Sequence, residues 1–158
     1  MSKEGDPKQS VMKTNVLLTI GYEGRKIDEF VVRLKQFNIS RLIDVREIPL
    51  SRKSGFSKSA LRERLEDENI QYIHIKALGS PSSIRKKLKS GGNYEFFFKE
   101  YSGYLSGNID TIKELYQYIS DGINCIMCFE RFPEKCHRSV ITDKIQEYDG
   151  NRLKIKHI

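Results

Sequence analysis

Short apolar runs alternating with amphipathic segments along 158 residues predict an α/β fold, a three-layer sandwich with a mostly parallel, Rossmann-like sheet of about five strands. Runs such as 16–20 and 123–127 are largely apolar with little alternation, as strands covered on both faces are. The segments between them place apolar residues three and four apart, as amphipathic helices do. The length suits one domain, residues 14–158, behind a loose tail of residues 1–13 that contains Gly5, Asp6 and Pro7 and shows no periodicity.

In chain order, the run from Val16 to Ile20 reads as a strand closed by Gly21, and Ile27, Phe30, Val31, Leu34 and Phe37 form the apolar stripe of a helix. A second strand, 42–45, leads through a loop with Pro49, Ser51 and Gly55 to a second helix. Ser57 is expected to cap that helix, and Phe56 to staple onto Leu61. A third strand, 70–75, precedes Ser80 and Pro81, a capping residue and a first-turn proline for a short basic helix that ends at Gly91-Gly92. Tyr94, Phe97, Phe98 and Tyr101 then recur at helical spacing, as do Ile109, Ile112, Tyr116 and Ile119. After the strand 123–127, a last helix carries Val140, Ile141, Ile145 and Tyr148. Leu153 and Ile155 alternate with lysines in a half-exposed final strand.

In such sheets the loops leaving the carboxyl ends of the strands form the ligand crevice. That rule gathers Gly21 and Tyr22, Asp44 and Arg46 to Arg52, Gly79, and the stretch from Cys128 to Arg138 at one end of the molecule. A formal charge of +7, from 28 basic and 21 acidic residues, favours anionic partners. No apolar run approaches the ~18 residues of a membrane helix, and the first residues are polar rather than signal-like, so a cytoplasmic protein without membrane partners is expected. Its three cysteines, clustered in 125–136, are then expected to be reduced.

The densest chemistry is CFERFPEKCHR, 128–138. Cys125 and Cys128 have CxxC spacing, but residues three apart in a strand face opposite ways, so Cys125 is expected to be buried structure. Cys128, Glu130, Cys136 and His137 have the ligand types of a zinc site. No metal is expected, however, because adjacent Cys136 and His137 would diverge by about 100° on a helix and no CxxC knuckle supports the loop. A Cys128–Cys136 disulfide fits across the loop, but would be transient in a reducing compartment.

The preferred reading is an anion-binding and catalytic turn, with Arg138 and the free amides at the start of the last helix meeting a negative charge. Cys128 or Cys136 would then be an activated thiol, and Glu130 or His137 would move protons. Asp44 either orients a ligand or forms a structural ion pair with Arg46. The aromatic stripe of Tyr94, Phe97, Phe98 and Tyr101 is expected to be core rather than a base-stacking platform. The basic helix, Arg85 to Lys89, is a solvated face or a track for a phosphate backbone.

Thr19 to Gly24, Asp44-Val-Arg46 with Pro49 and Ser51-Arg52, Gly55-Phe56, Leu78-Gly79, Cys128-Phe-Glu130 and Cys136-His137-Arg138 together resemble the family called domain of unknown function 488, from about residue 16 to the end of the chain. The resemblance implies an α/β three-layer fold and no particular reaction. Some members carry His where this chain has Tyr22, so no imidazole acts there.

The sequence thus points to an enzyme, a hydrolase or group transferase, acting on an anionic, phosphate-bearing or nucleotide-like ligand. Its catalytic candidates are Cys128, Glu130, Cys136, His137 and Asp44. Its binding candidates are Gly21, Tyr22, Arg46, Ser51, Arg52, Gly79 and Arg138. No cofactor is called for, since neither a Gly-rich dinucleotide fingerprint nor a Walker sequence is present. The alternative is a noncatalytic nucleic-acid-binding domain that uses the basic surface.

Overall fold

The computed structural model describes residues 15–158; the tail expected at residues 1–13 lies outside them. The strands are β1 (Val16–Gly21), β2 (Arg41–Asp44), β3 (Gln71–His74), β4 (Asn124–Cys128) and β5 (Lys154–His157). They form one sheet in the order β3-β2-β4-β1-β5, and every pairing in it is parallel. The helices are α1 (Ile27–Gln36), α2 (Lys58–Asp67), α3 (Ser82–Lys89), α4 (Tyr94–Ser106), α5 (Ile109–Ile119) and α6 (Arg138–Tyr148).

Side-chain alternation divides the core into two layers. Leu18, Ile20, Leu42, Cys125 and Met127 pack on one face with Phe30, Val31 and Leu34 of α1 and Leu61 and Leu65 of α2. Leu17, Ile43, Ile126 and Cys128 face the other way, against Leu105 of α4, Ile112, Leu115 and Ile119 of α5, and Ile141 and Ile145 of α6. Cys125 and Cys128 therefore lie on opposite faces, as strand parity requires. The chain leaves β1 toward α1 on one face and leaves neighbouring β4 toward α6 on the other. This reversal opens a crevice at the carboxyl edge.

Local chemistry sets several boundaries. Asn38 and Asn69 adopt positive φ, 55° and 60°, just past α1 and α2, a conformation that Asn tolerates better than most residues. Ser57 stands at the N-cap of α2 as expected, but its hydroxyl makes no capping bond. It accepts from the Ser51 amide at 3.0 Å and donates to the Ser51 carbonyl at 3.1 Å, tying the loop after β2 to the helix. The cap of α3 is Pro81 rather than Ser80, one residue later than the sequence suggests. Phe97 and Tyr101 are buried as the core reading requires, whereas Tyr94 is 40% exposed.

Candidate functional site

The carboxyl edge holds a cleft of about 840 Å³ lined from the loops after β1, β2, β3 and β4 and from α3 and α4. Arg46, Arg85, Lys89 and Lys135 bring positive charge to it, Tyr22, Tyr94, Phe97 and Phe129 bring rings, and Cys128, Glu130 and His137 form its floor.

On the β2 side, Asp44 is fully buried. Its Oδ1 accepts from the Arg46 amide at 3.0 Å and from Nε at 2.9 Å, and its Oδ2 accepts from Nη2 at 2.7 Å and from the Tyr72 hydroxyl. Arg46 Nη1 reaches the Tyr22 hydroxyl at 3.2 Å, and Tyr22 stacks on Phe56 with ring centroids 4.5 Å apart. Burial works to lower the pKa of Arg46, but the hydrogen bonds and charge of Asp44 outweigh it, so the guanidinium is held more firmly protonated than usual. Burial, aided by the Asp44 charge, pushes Tyr72 upward. Of the two readings of Asp44 and Arg46, the ion pair describes these contacts. Asp44 holds Arg46 against the cleft wall and does not itself line the cleft.

On the β4 side, Cys128 ends the strand and a loop with one 3₁₀ turn, Pro133–Lys135, returns the chain to α6. Cys128 and Cys136, eight residues apart, are bonded as a disulfide, where reduced thiols were expected. Each is about 1% exposed, so neither is the open thiol that the sequence reading wanted. His137 Nε2 donates to the Val45 carbonyl at 2.8 Å, which leaves Nδ1 with its lone pair, 3.7 Å from Cys136 Sγ. Burial pushes the His137 pKa down to about 4. The Glu130 carboxyl approaches Cys128 Sγ at 3.9 Å, and burial raises its pKa.

Arg138 departs most from its expected role. Its side chain is buried at 1% exposure, beneath the loop rather than in the cleft. Nε donates to Thr19 Oγ1 at 3.1 Å, Nη1 to Cys128 Sγ at 3.2 Å and to the Glu130 carbonyl, and Nη2 to the Arg131 carbonyl at 2.9 Å. Its amide points at Cys136 Sγ at 3.4 Å rather than at open space. Burial lowers its pKa to about 10. These contacts turn Nε, Nη1 and Nη2 of Arg138 to the protein rather than to a ligand.

Cys136 and His137 do not diverge by the helical angle that their adjacency suggested. Cys136 is extended (φ −134°, ψ 144°) while His137, the N-cap, is near-helical (φ −59°, ψ −18°), so the two side chains do not follow helical spacing. Ligand atoms of Cys128, Glu130, Cys136 and His137 all lie within 4.8 Å of one another.

Gly21 and Gly79 serve as points of close packing rather than as ligand contacts. A Cβ on Gly21 would stand 1.8 Å from the Glu130 carbonyl oxygen, and one on Gly79 would stand 2.2 Å from the Glu47 amide nitrogen. Ser51 lines the cleft, whereas Arg52 is exposed outside it. Glu47, Tyr72 and Lys135 were not among the site candidates of the sequence, and Thr19 entered only as the start of a family motif. Glu47 pairs with Arg85 at 3.0 Å and accepts from Ser82 at 2.6 Å; Thr19 links Arg138 to His157 Nδ1, 2.6 Å away. Tyr72 and Thr19 sit in strands with apolar neighbours, where only their polarity marked them, and Lys135 was one lysine among many.

Fold and cleft together define a parallel α/β protein that gathers its polar groups at the carboxyl edge of the sheet. The chain belongs to the family described as domain of unknown function DUF488, whose model matches residues 26–145. That span contains every cleft-lining residue except Tyr22. No curated protein and no solved structure matches the chain. Among the described residues, no helix is long and apolar enough to cross a membrane.

Proposed function

We propose that the protein is a small cytoplasmic enzyme that takes a phosphate-bearing, ring-containing ligand of nucleotide-like chemistry into the carboxyl-edge cleft and hydrolyses it. The observation that carries this reading is the composition of the cleft wall, where cations and aromatic rings converge above the half-buried Glu130 carboxyl. Arg46 and Arg85 already have acidic partners, Asp44 and Glu47. Lys89 and Lys135 line the cleft with no carboxylate partner among the described residues, so they are assigned to the anion. Tyr94 and Phe129, 40% and 43% exposed, offer faces and edges to a ring.

Glu130 is the proton donor in this reading, because burial favours its neutral form. Water adds its hydroxyl to phosphorus as the P–O bond breaks. Glu130 gives its proton to the leaving oxygen and regains one from the attacking water.

The alternative, a nucleic-acid track on α3, has fewer free cations than the sequence suggests. Arg85 is paired with Glu47, and Lys87 with Glu100 at 2.9 Å.

Thermal shift with inorganic phosphate and with nucleoside mono-, di- and triphosphates tests the proposal. Stabilisation should fall about tenfold in apparent affinity in Lys89→Ala and in Lys135→Ala, the effect of losing one charge-assisted contact. Hydrolysis of the stabilising nucleotide should fall in Glu130→Gln without loss of binding. Absence of stabilisation by any of these anions, or equal stabilisation of the lysine variants, would overturn the reading.

A further inference from the structure

At the floor of the cleft, the loop between β4 and α6 assembles a group of which the proposed hydrolysis uses only Glu130. We propose that, with Cys128 and Cys136 reduced, this group is a zinc site formed by the two sulfurs, His137 Nδ1 and a Glu130 carboxylate oxygen. Metal binding here does not rest on anion binding by the cleft, but it takes Glu130 as a carboxylate ligand, so the metal-bound form lacks Glu130 as a proton donor.

The ligand atoms already lie within 4.8 Å of one another. A tetrahedral zinc ion with ligands at about 2.0–2.3 Å spaces them roughly 3.3–3.8 Å apart, so small side-chain rotations close the set. The Cα atoms of Cys128 and Cys136 are 7.6 Å apart. Disulfides ordinarily span about 4.4–6.8 Å between Cα atoms, so this separation suits two thiolates on one ion better than it suits their direct bond.

The surroundings are those of a metal site. His137 donates its Nε2 proton to the Val45 carbonyl at 2.8 Å, which fixes the tautomer and aims the Nδ1 lone pair into the cluster. The Arg138 amide donates to one sulfur at 3.4 Å and Arg138 Nη1 donates to the other at 3.2 Å, as donors around metal thiolates do.

Charge supplies a separate reason. Arg138 is buried, and no carboxylate lies within salt-bridge distance of it among the described residues. A buried guanidinium calls for a neighbouring anion. Two thiolates and the Glu130 carboxylate provide it, and a divalent ion together with Arg138 brings the assembly to neutrality. Two sulfurs with an imidazole select zinc over the harder magnesium and calcium. Binding releases the two thiol protons, and the Glu130 proton where that carboxyl is neutral, to solvent and changes no oxidation state.

The full chain, reduced with a phosphine and stripped of metal by a chelator under anaerobic conditions, is titrated with Co²⁺ and then with Zn²⁺. We expect one Co²⁺ per chain, with intense visible bands of tetrahedral cobalt and a near-ultraviolet thiolate-to-metal charge-transfer band, all erased as Zn²⁺ displaces it. The Cys128→Ser/Cys136→Ser double variant should lose the charge-transfer band. Should that variant not fold, the band in the wild type identifies thiolate ligation without it. A reduced, folded wild type, verified by circular dichroism, that takes up no Co²⁺ would overturn the proposal, as would uptake without a thiolate band.

Discussion

Gly21 stands where β1 runs under the loop carrying Glu130, and Gly79 where the chain after β3 crosses the backbone of Glu47. Neither glycine is among those with positive φ. What each requires is the absence of a side chain, because backbone rather than a flexible side-chain tip fills the space a Cβ would take. Gly21→Ala and Gly79→Ala should therefore each destabilise the fold by about 1–3 kcal/mol, the range for forcing a methyl group into a packed interior. Urea unfolding measures this as a lower midpoint at constant slope. A midpoint equal to that of the wild type would mean that the loops move aside freely. The same residue-level view explains why Arg138 was misplaced. Its charge is visible in the sequence, but nothing local distinguishes a guanidinium that meets a ligand from one that ties down three segments of chain.

At the scale of elements, strand and helix positions were largely legible, since burial on one or both faces writes a period of 2 or 3.6 residues, or a short apolar run, into the chain. The aromatic stripe of α4 resolved as expected at Phe97 and Tyr101, which are buried on the helix face toward the core. Gly103 lies in the interior of the same helix, and apart from the adjoining helix backbone no heavy atom lies within 4 Å of a Cβ built there. Gly103→Ala should stabilise the protein by roughly 0.4–1 kcal/mol, chiefly by restricting the unfolded chain and improving helix propensity. A lower urea midpoint in this variant would show that the glycine is needed for packing. Caps were less legible than spacing. Ser57 occupies its position in α2, yet its hydroxyl serves Ser51 because the loop after β2 passes within reach.

For the whole molecule, stability should depend on pH chiefly through the buried imidazole of His137. Burial depresses the pKa of His137 to about 4 and lowers that of His157 as well. A histidine near 6.5 in the unfolded chain then binds protons that the folded protein refuses. Stability is full above about pH 6.5 and falls as the pH drops toward 4. His137 alone should cost about 2 kcal/mol between pH 7 and pH 5, a window in which most carboxylates remain ionised. Glu130, raised by burial, opposes this loss in the lower part of the window. Urea midpoints at the two pH values, in wild type and in Glu130→Gln, separate the two effects, and a flat profile in that variant would show that His137 is not buried as neutral imidazole.

By itself the sequence determined the order of strands and helices and the opposite orientations of Cys125 and Cys128, because periodicity and strand parity are local. It also determined that the polar residues collect at one edge, since parallel strands all end there. Only the tertiary structure decided the strand order β3-β2-β4-β1-β5, which depends on pairings between distant segments. It likewise decided that Asp44 is spent on Arg46 and Tyr72, and that Arg138 turns inward to Thr19 and the carbonyls of the loop. The convergence of Cys128, Glu130, Cys136 and His137 belongs to the same class. It rests on an extended backbone at Cys136 followed by a near-helical His137, a change of direction set by packing of the loop against β1 and β2 and not by residue spacing.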